Sequence, residues 1–374
     1  MTISSFFIYP PHHIFYHLDG VFAIGVCNCY TAHMKRFLSV ILAIVLALSL
    51  SSCGGPERYD VTYTGYFDTV VMLSGYFNSR SDADENFDLI MAEIALYHRL
   101  FDAYNDYDEA NIKTINDKAG KAPVAIRPEL MELLEFSIQA YGITGGRVNI
   151  ALGSVLKLWH EQREAYYAGD AAVLPNETAL REAAKHTNIT SLVLDKAACT
   201  AYIQDPKMQL DVGAVAKGFA AQKAADSARQ RGVNSLIINL GGNVCCIGAK
   251  PDGAWRVGVQ DPDDMEAYIA TAQLENVSMV SSGDYQRYYI VDNVRYSHII
   301  DPQTLYPALN YRAVSIVCRD SAWADVLSTA LFLMDETEGG ALLKKLNAEA
   351  LWILPDGEMH ESAGMAQLLA FSTD

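Results

Sequence analysis

The sequence predicts an α+β protein built on a mixed sheet with flanking helices. Three observations predict it. Apolar residues make up 51% of the 374 residues and charged residues only 20%, so the chain has ample material for a core. Helix-like and strand-like segments both recur, without the regular alternation of a doubly wound sheet. No repeat, low-complexity run or second linker follows residue 61, so the remainder reads as a two-lobed single unit.

The elements follow in order. Tyr63–Phe77 is rich in Tyr, Thr and Val and reads as strand. Asp82–Leu100 sets Phe87, Ile90, Met91, Ile94 and Leu100 at helical spacing. Pro128–Tyr141, Ser154–Tyr167 and Pro175–Lys185 read as helices, the last with Asn176 as a cap. Ser191–Leu194, Thr200–Ile203 and Met208–Leu210 read as short strands. Lys217–Arg231 is a helix stopped by Gly232. Ser235–Leu240, Trp255–Val259, Met279–Ser281, Tyr288–Val291 and Ala313–Val317 continue the strands. Ala324–Leu333 and Thr337–Leu346 are helical, and Leu351–Leu354 is a late strand.

The charge balance excludes one class of function. With 28 Lys+Arg against 45 Asp+Glu, the formal net charge is −17. A nucleic-acid binder needs a basic face to meet phosphates. A local basic pocket for a small anion remains compatible with this balance.

The N-terminal region carries a targeting signal. Lys35 and Arg36 precede the apolar run Phe37–Leu50, and Leu50-Ser51-Ser52-Cys53 follows. A short basic region, an apolar core and a small-residue site describe a secretory signal. The run is shorter than the roughly 20 residues a spanning helix needs. An uncleaved anchor is the alternative. The Cys after Leu-Ser-Ser resembles a bacterial lipobox, which predicts an extracytoplasmic protein lipid-anchored to the membrane through Cys53. The expected organisation is an over-called extension at 1–33, a signal peptide at 34–52, a lipidated tether at 53–61 and a single domain over 62–374. On this reading His12, His13, His17, Cys27 and Cys29 have no functional role. Cys199, Cys245, Cys246 and Cys318 lack metal-ligand spacing and read as small hydrophobes.

Five segments carry candidate chemistry. Asp211-Val212-Gly213-Ala214-Val215-Ala216-Lys217-Gly218 leads from a short strand into a helix. It suits an anion at a helix N-terminus, or simply a tight turn with a surface Lys. Neither a Walker A loop nor G-x-G-x-x-G fits its spacing. In Ala324–Leu331, Asp325 and Thr329 share a helix face at i and i+4. A carboxylate and a hydroxyl suit Mg²⁺, or the Thr bonds its own backbone. His298, in Tyr296-Ser297-His298-Ile299-Ile300-Asp301-Pro302, is a general base or a structural His. Ser281–Tyr285 and Gly145–Gly153 are ambiguous alone.

Together, in this order, the segments resemble the ApbE family of FAD:protein FMN transferases over roughly residues 60–360. The family's Asp-x-Gly-x-x-Ala-Lys-Gly-[Tyr/Phe] is matched by Asp211–Phe219, followed by Leu240-Gly241-Gly242-Asn243. Its Ser-Gly-Asp-Tyr is matched by Ser282–Tyr285, its Ser-His-Ile-Ile-Asp-Pro by Ser297–Pro302, and its Ala-Asp-x-Leu-Ser-Thr-Ala by Ala324–Ala330. The chain departs from the usual wording at Phe67-Asp68-Thr69, at Val148-Asn149-Ile150-Ala151 and at Leu305, where the family commonly has Gly.

The resemblance implies an ApbE-like fold and an Mg²⁺-dependent transfer of FMN from FAD to a Thr or Ser hydroxyl, releasing AMP. It implies FAD contacts at Asp211 and Lys217, at the loop Val148-Asn149-Ile150, at Ile299, and at Phe67 and Tyr104. It implies Mg²⁺ at the Ala214 carbonyl, Asp325 and Thr329, with His298 as the general base. The family's acceptor motif, Asp-x-x-[Ser/Thr]-Gly-Ala-[Ser/Thr], is not found in this chain, so the expected acceptor is a separate flavoprotein. Two alternatives stand beside this reading: an Mg²⁺-dependent FAD pyrophosphatase giving FMN and AMP, and a lipoprotein that binds FAD without chemistry.

Overall fold

The computed structural model describes residues 55–371. The extension, the signal segment and Cys53 lie outside the described residues.

The first strands form a hairpin. β1 (Glu57–Tyr66) and β2 (Thr69–Phe77) pair antiparallel around Phe67 and Asp68, both at φ 52°. That left-handed pair matches the twist of a two-residue hairpin, at a steric cost for a Phe. The cost is offset locally. The Phe67 N–H donates to His98 Nδ1 at 3.2 Å, and its ring packs against His98 and Phe101. The stretch read as one strand over 63–77 is therefore two, and β1 already begins within the segment read as tether.

Helices α1 (Arg80–Phe101), α2 (Ile112–Asp117), α3 (Pro128–Ile143), α4 (Gly153–Tyr167) and α5 (Glu177–Ala183) follow. A small sheet of β3 (Val124–Ala125), β4 (Leu192–Asp195) and β5 (Thr200–Ile203) lies among them. Met208–Leu210 is not a strand. Asn116 supplies both of Leu210's backbone partners, accepting its N–H at 2.7 Å and donating to its C=O at 2.9 Å. A side chain thus replaces the neighbouring strand.

The central sheet has eight strands in the order β1-β2-β6-β7-β10-β13-β14-β15. The later members are β6 (Ser235–Leu240), β7 (Asn243–Gly248), β10 (Ser278–Gly283), β13 (Ala313–Cys318), β14 (Glu349–Ile353) and β15 (Met359–Glu361). The fold class is α+β as expected, but the sheet is not mixed: every pairing in it is antiparallel. Tight reversals impose this, as at Gly241-Gly242 between β6 and β7, where both residues have positive φ. A Cβ on Gly241 would meet Thr69 Oγ1 at 2.1 Å, so the hairpin tip of β1–β2 closes against this turn.

Side chains alternate across the sheet. Val71, Leu73, Leu236, Ile238, Cys245, Val280 and Ile316 pack beneath α1, α6 (Ala216–Gln230) and α7 (Ser321–Phe332). On the other face Val244, Cys246, Met279, Val317 and Leu351 meet Trp255, Val257, Ala270 and Ala272. Those come from a second sheet of β8 (Trp255–Gln260), β9 (Tyr268–Leu274) and β16 (Leu369–Phe371). Over β2 the second face stays open, with Val70 45% and Met72 44% exposed. Cys245, Cys246 and Cys318 are buried and unbridged. The hairpin β11 (Tyr288–Val291) and β12 (Val294–Ser297) leads to His298.

Candidate active site

The site begins where α6 begins. Asp211 Oδ1 accepts from Gly213 N at 2.8 Å, which tightens the turn. The Val212 carbonyl then accepts from Val215 and Ala216, both at 2.9 Å. The N-cap residue Val215 makes no side-chain cap bond, so the first amides of α6 take partners from elsewhere in the fold. One of them, Gly218 N–H, donates to Asp325 Oδ2 at 2.8 Å. Asp325 lies on α7 and is only 4% exposed. Gly is required at 218: a Cβ there would sit 2.4 Å from both the Asp325 Cβ and the Ser321 carbonyl oxygen.

A buried carboxylate next to helix amides and Lys217 is under opposed influences. Burial pushes the Asp325 carboxyl up; Lys217, the Gly218 amide and the Asn243 side chain pull it down. Asn243 is itself 2% exposed, and its Oδ1 has no hydrogen-bond partner. One helical turn beyond Asp325, Ser328 Oγ donates to the Asp325 carbonyl at 2.9 Å and pairs with Ser282 Oγ at 2.8 Å. This leaves Thr329, rather than Ser328, to line the cleft.

His298 follows β12. Burial, and then the charges of Arg287, Lys217 and Arg163, hold its imidazole down at about 3. Its ring is therefore neutral near pH 7, and the buried Nδ1 has no partner. Beyond it, Ile299 N–H is 3.4 Å from Ser297 Oγ, and its carbonyl accepts from Ala308 at 3.1 Å. This fixes the backbone on either side of the ring.

The loop before α4 is held by its own side chains. Asn149 Oδ1 accepts from Ala151 N–H, and its Nδ2 donates to the Thr187 carbonyl, both at 2.9 Å. Val148 and Ile150 are buried, and the Ile150 carbonyl accepts from Asp211 N–H at 2.8 Å. These side chains are committed, so this loop offers a ligand mainly backbone. Tyr104 is 57% exposed, with its ring centroid 5.2 Å from that of His160.

One cleft of about 1320 Å³ gathers all twelve candidates. Phe67, Tyr104, Val148, Asn149, Ile150 and Asp211 line it, as do Ala214, Lys217, His298, Ile299, Asp325 and Thr329. Seven Lys and Arg side chains line it against five carboxylates, a local inversion in a chain of net charge −17. Sequence reasoning assigned no role to Arg163, Arg287 or Asn243. Asn243 carried a signal, since it directly follows the Gly-Gly turn. Arg163 and Arg287 carried none, since only folding brings their charges to His298.

The donor set suits a hard cation. Among the described residues, no three or more of His, Cys, Asp and Glu cluster as metal ligands. A divalent ion here would therefore use one carboxylate with neutral oxygens, and the unpartnered Asn243 Oδ1 beside Asp325 shows uncommitted oxygen at that point.

Comparison with known proteins agrees with this geometry. A family model described as the ApbE family matches residues 62–352. The FAD:protein FMN transferase of Klebsiella pneumoniae (strain 342) is 32% identical over 261 residues, covering 67% of this chain and 79% of that protein. That of Treponema pallidum (strain Nichols) is 34% identical over 275 residues, covering 69% and 74%. The crystal structure of the ApbE protein from Thermotoga maritima superposes with TM-score 0.74 at 26% identity, covering 83% of this chain and 99% of that one. A flavin transferase ApbE from Vibrio cholerae, at 22% identity and TM-score 0.71, shows the same fold. With the motifs, the cleft and the matched length in agreement, this chain belongs to the ApbE family.

Proposed function

We infer that this chain transfers FMN from FAD to a hydroxyl of a separate protein. The observation that carries the reading is a neutral His298 in the same cleft as Lys217 and the buried Asp325. An alcohol is a poor nucleophile at neutral pH and needs a base within reach. His298 takes the proton of the acceptor Thr or Ser hydroxyl. The oxygen attacks the phosphorus on the riboflavin side of the pyrophosphate. The bond from that phosphorus to the bridging oxygen breaks, and AMP leaves with the bonding pair. The proton on His298 then passes to solvent. Lys217, at the N-terminus of α6, meets the negative phosphates, and the pinned 148–150 backbone with Phe67 and Ile299 orients the flavin nucleotide.

Ala214 through its carbonyl, Asp325 and Thr329 would hold Mg²⁺, which when bound neutralises pyrophosphate charge. The lipobox-like Leu50–Cys53 supports export and a lipid anchor at Cys53, with the acceptor reached at a membrane surface.

The test incubates the full chain with FAD, Mg²⁺ and a carrier protein bearing an Asp-x-x-[Ser/Thr]-Gly-Ala-[Ser/Thr] segment. Addition of one FMN to the carrier by intact mass, with AMP released and both lost in His298→Ala, supports transfer. AMP without a change in carrier mass supports the pyrophosphatase. Bound FAD with neither product supports a binding protein.

A further inference from the structure

The cleft is larger than its catalytic residues occupy. Small-molecule pockets generally span about 300–1,000 Å³, and this one exceeds that range. One part of its lining, the arm between β2 and β8, carries none of the twelve candidates. The floor of that arm is the open face of the central sheet, in register: Thr62 opposes Met72, and Met72 opposes Asn239. A parallel row runs Asp60, Ser74, Ile237.

The wall of the arm is β8. Trp255, Arg256, Val257 and Gly258 all line the cleft, although successive strand residues face opposite ways. A strand does this when it presents its edge. β8 is indeed terminal in its sheet, paired only with β9. Its outer row of N–H and C=O groups is therefore available for pairing.

Charge is specific here too. Arg58 is bridged to Asp60 at 2.9 Å. Arg256 is exposed, and its side chain makes no hydrogen bond or ion pair within the described residues.

We propose that this arm receives the acceptor polypeptide as an extended strand on the free edge of β8, an acidic side chain meeting Arg256 and an apolar one covering Met72. The proposal rests on the transferase reading, because the arm is continuous with the cleft that holds His298. An added strand forms main-chain hydrogen bonds whatever its sequence, while side-chain pockets select it. It also fixes the distance of a hydroxyl from the base, as transfer to one residue requires.

Two readouts on the full chain test this. The first is hydrogen exchange at residues 255–260 with the carrier protein whose acceptor Ser or Thr is replaced by Ala, which isolates docking from chemistry. Slowed exchange at β8 on adding this carrier is expected. The second is the carrier KM for FMN transfer by Arg256→Glu and Met72→Glu. Each is expected to raise it roughly tenfold, the effect of losing one good interface contact, with the Kd for FAD within about twofold. Both substitutions are at exposed positions, and an unchanged Tm checks their folding. Protection of β8 in a protein that transfers no FMN would uphold docking and refute transfer. Transfer with unchanged β8 exchange and unchanged KM would refute docking and leave transfer intact. Protection of β8 already complete without carrier would show another segment on that edge and refute the proposal. So would loss of FAD affinity in both variants, which would assign the arm to the nucleotide.

Discussion

Gly218→Ala is a sharp test of how the site is assembled. The added methyl would lie 2.4 Å from the Asp325 Cβ and 2.4 Å from the Ser321 carbonyl oxygen. Carbon contacts settle near 3.5 Å, so α6 and α7 must part by about 1 Å. The 2.8 Å bond from Gly218 N–H to Asp325 Oδ2 would then stretch beyond hydrogen-bond range. Overpacking and loss of a bond to a charged group together cost roughly 3–6 kcal/mol. Total stability is of order 5–15 kcal/mol, so the variant folds but with a clearly lowered Tm. A 1 Å displacement of a positioned group also costs about 10²-fold in rate. Near-UV circular dichroism melts and AMP release with FAD and Mg²⁺ measure the two effects. Gly340→Ala is the control: it lies within α8 (Glu336–Leu346), with nothing within 4 Å of a new Cβ. It should gain roughly 0.5–1 kcal/mol from helix propensity. If Gly218→Ala melts and turns over like the unsubstituted protein, the α6–α7 contact is not what supports Asp325.

Further outcomes follow from the same residues. His298→Ala should lower FMN transfer by about 10²–10⁴-fold while FAD binding persists, read by intact mass and by flavin fluorescence. His298 sits well below its ordinary 6.5, so its contribution to stability is present above that value and is lost as pH falls from 6.5 toward 3. Removing it should flatten Tm against pH in that window. Asp325 is shifted the other way, so its contribution is present below 3.8 and is lost as pH rises. Asp325→Asn should therefore raise Tm more at pH 7 than at pH 4, while abolishing Mg²⁺-dependent turnover. Chelation of divalent cations should stop AMP release in the unsubstituted protein and be reversed by excess Mg²⁺, with no loss of ellipticity.

Much of the candidate site was legible because its residues fall in short contiguous runs. Asp211–Gly218, Ser297–Pro302 and Ala324–Ala330 match the wording of the ApbE family in order, and that resemblance singled out their residues; local spacing alone left each open between a chemical and a structural role. The hairpin at Phe67-Asp68 was not legible, because neither residue is the Gly or Asn that usually marks a left-handed turn. Its stability comes from His98, 31 residues away along the chain. The departure at Leu305 has a related form: Leu sits at φ 67°, held by its N–H on the Asp301 carbonyl and its carbonyl on the Trp159 indole.

The sequence alone determined the α+β class, most helices, the apolar runs that become core strands, and the local order within each chemical segment. Those are properties of near neighbours, set by periodicity and backbone preference. Tertiary structure decided that the sheet is antiparallel, that Met208–Leu210 pairs with a side chain, and that β8 presents an edge to the cleft. It also decided the state of the two ionisable groups on which the proposed chemistry rests. His298 is held neutral by burial and then by the charges of Arg287, Lys217 and Arg163, and Asp325 is raised by burial between two helices. Charge acts through space and desolvation depends on packing, so neither effect can be read from a linear order of residues.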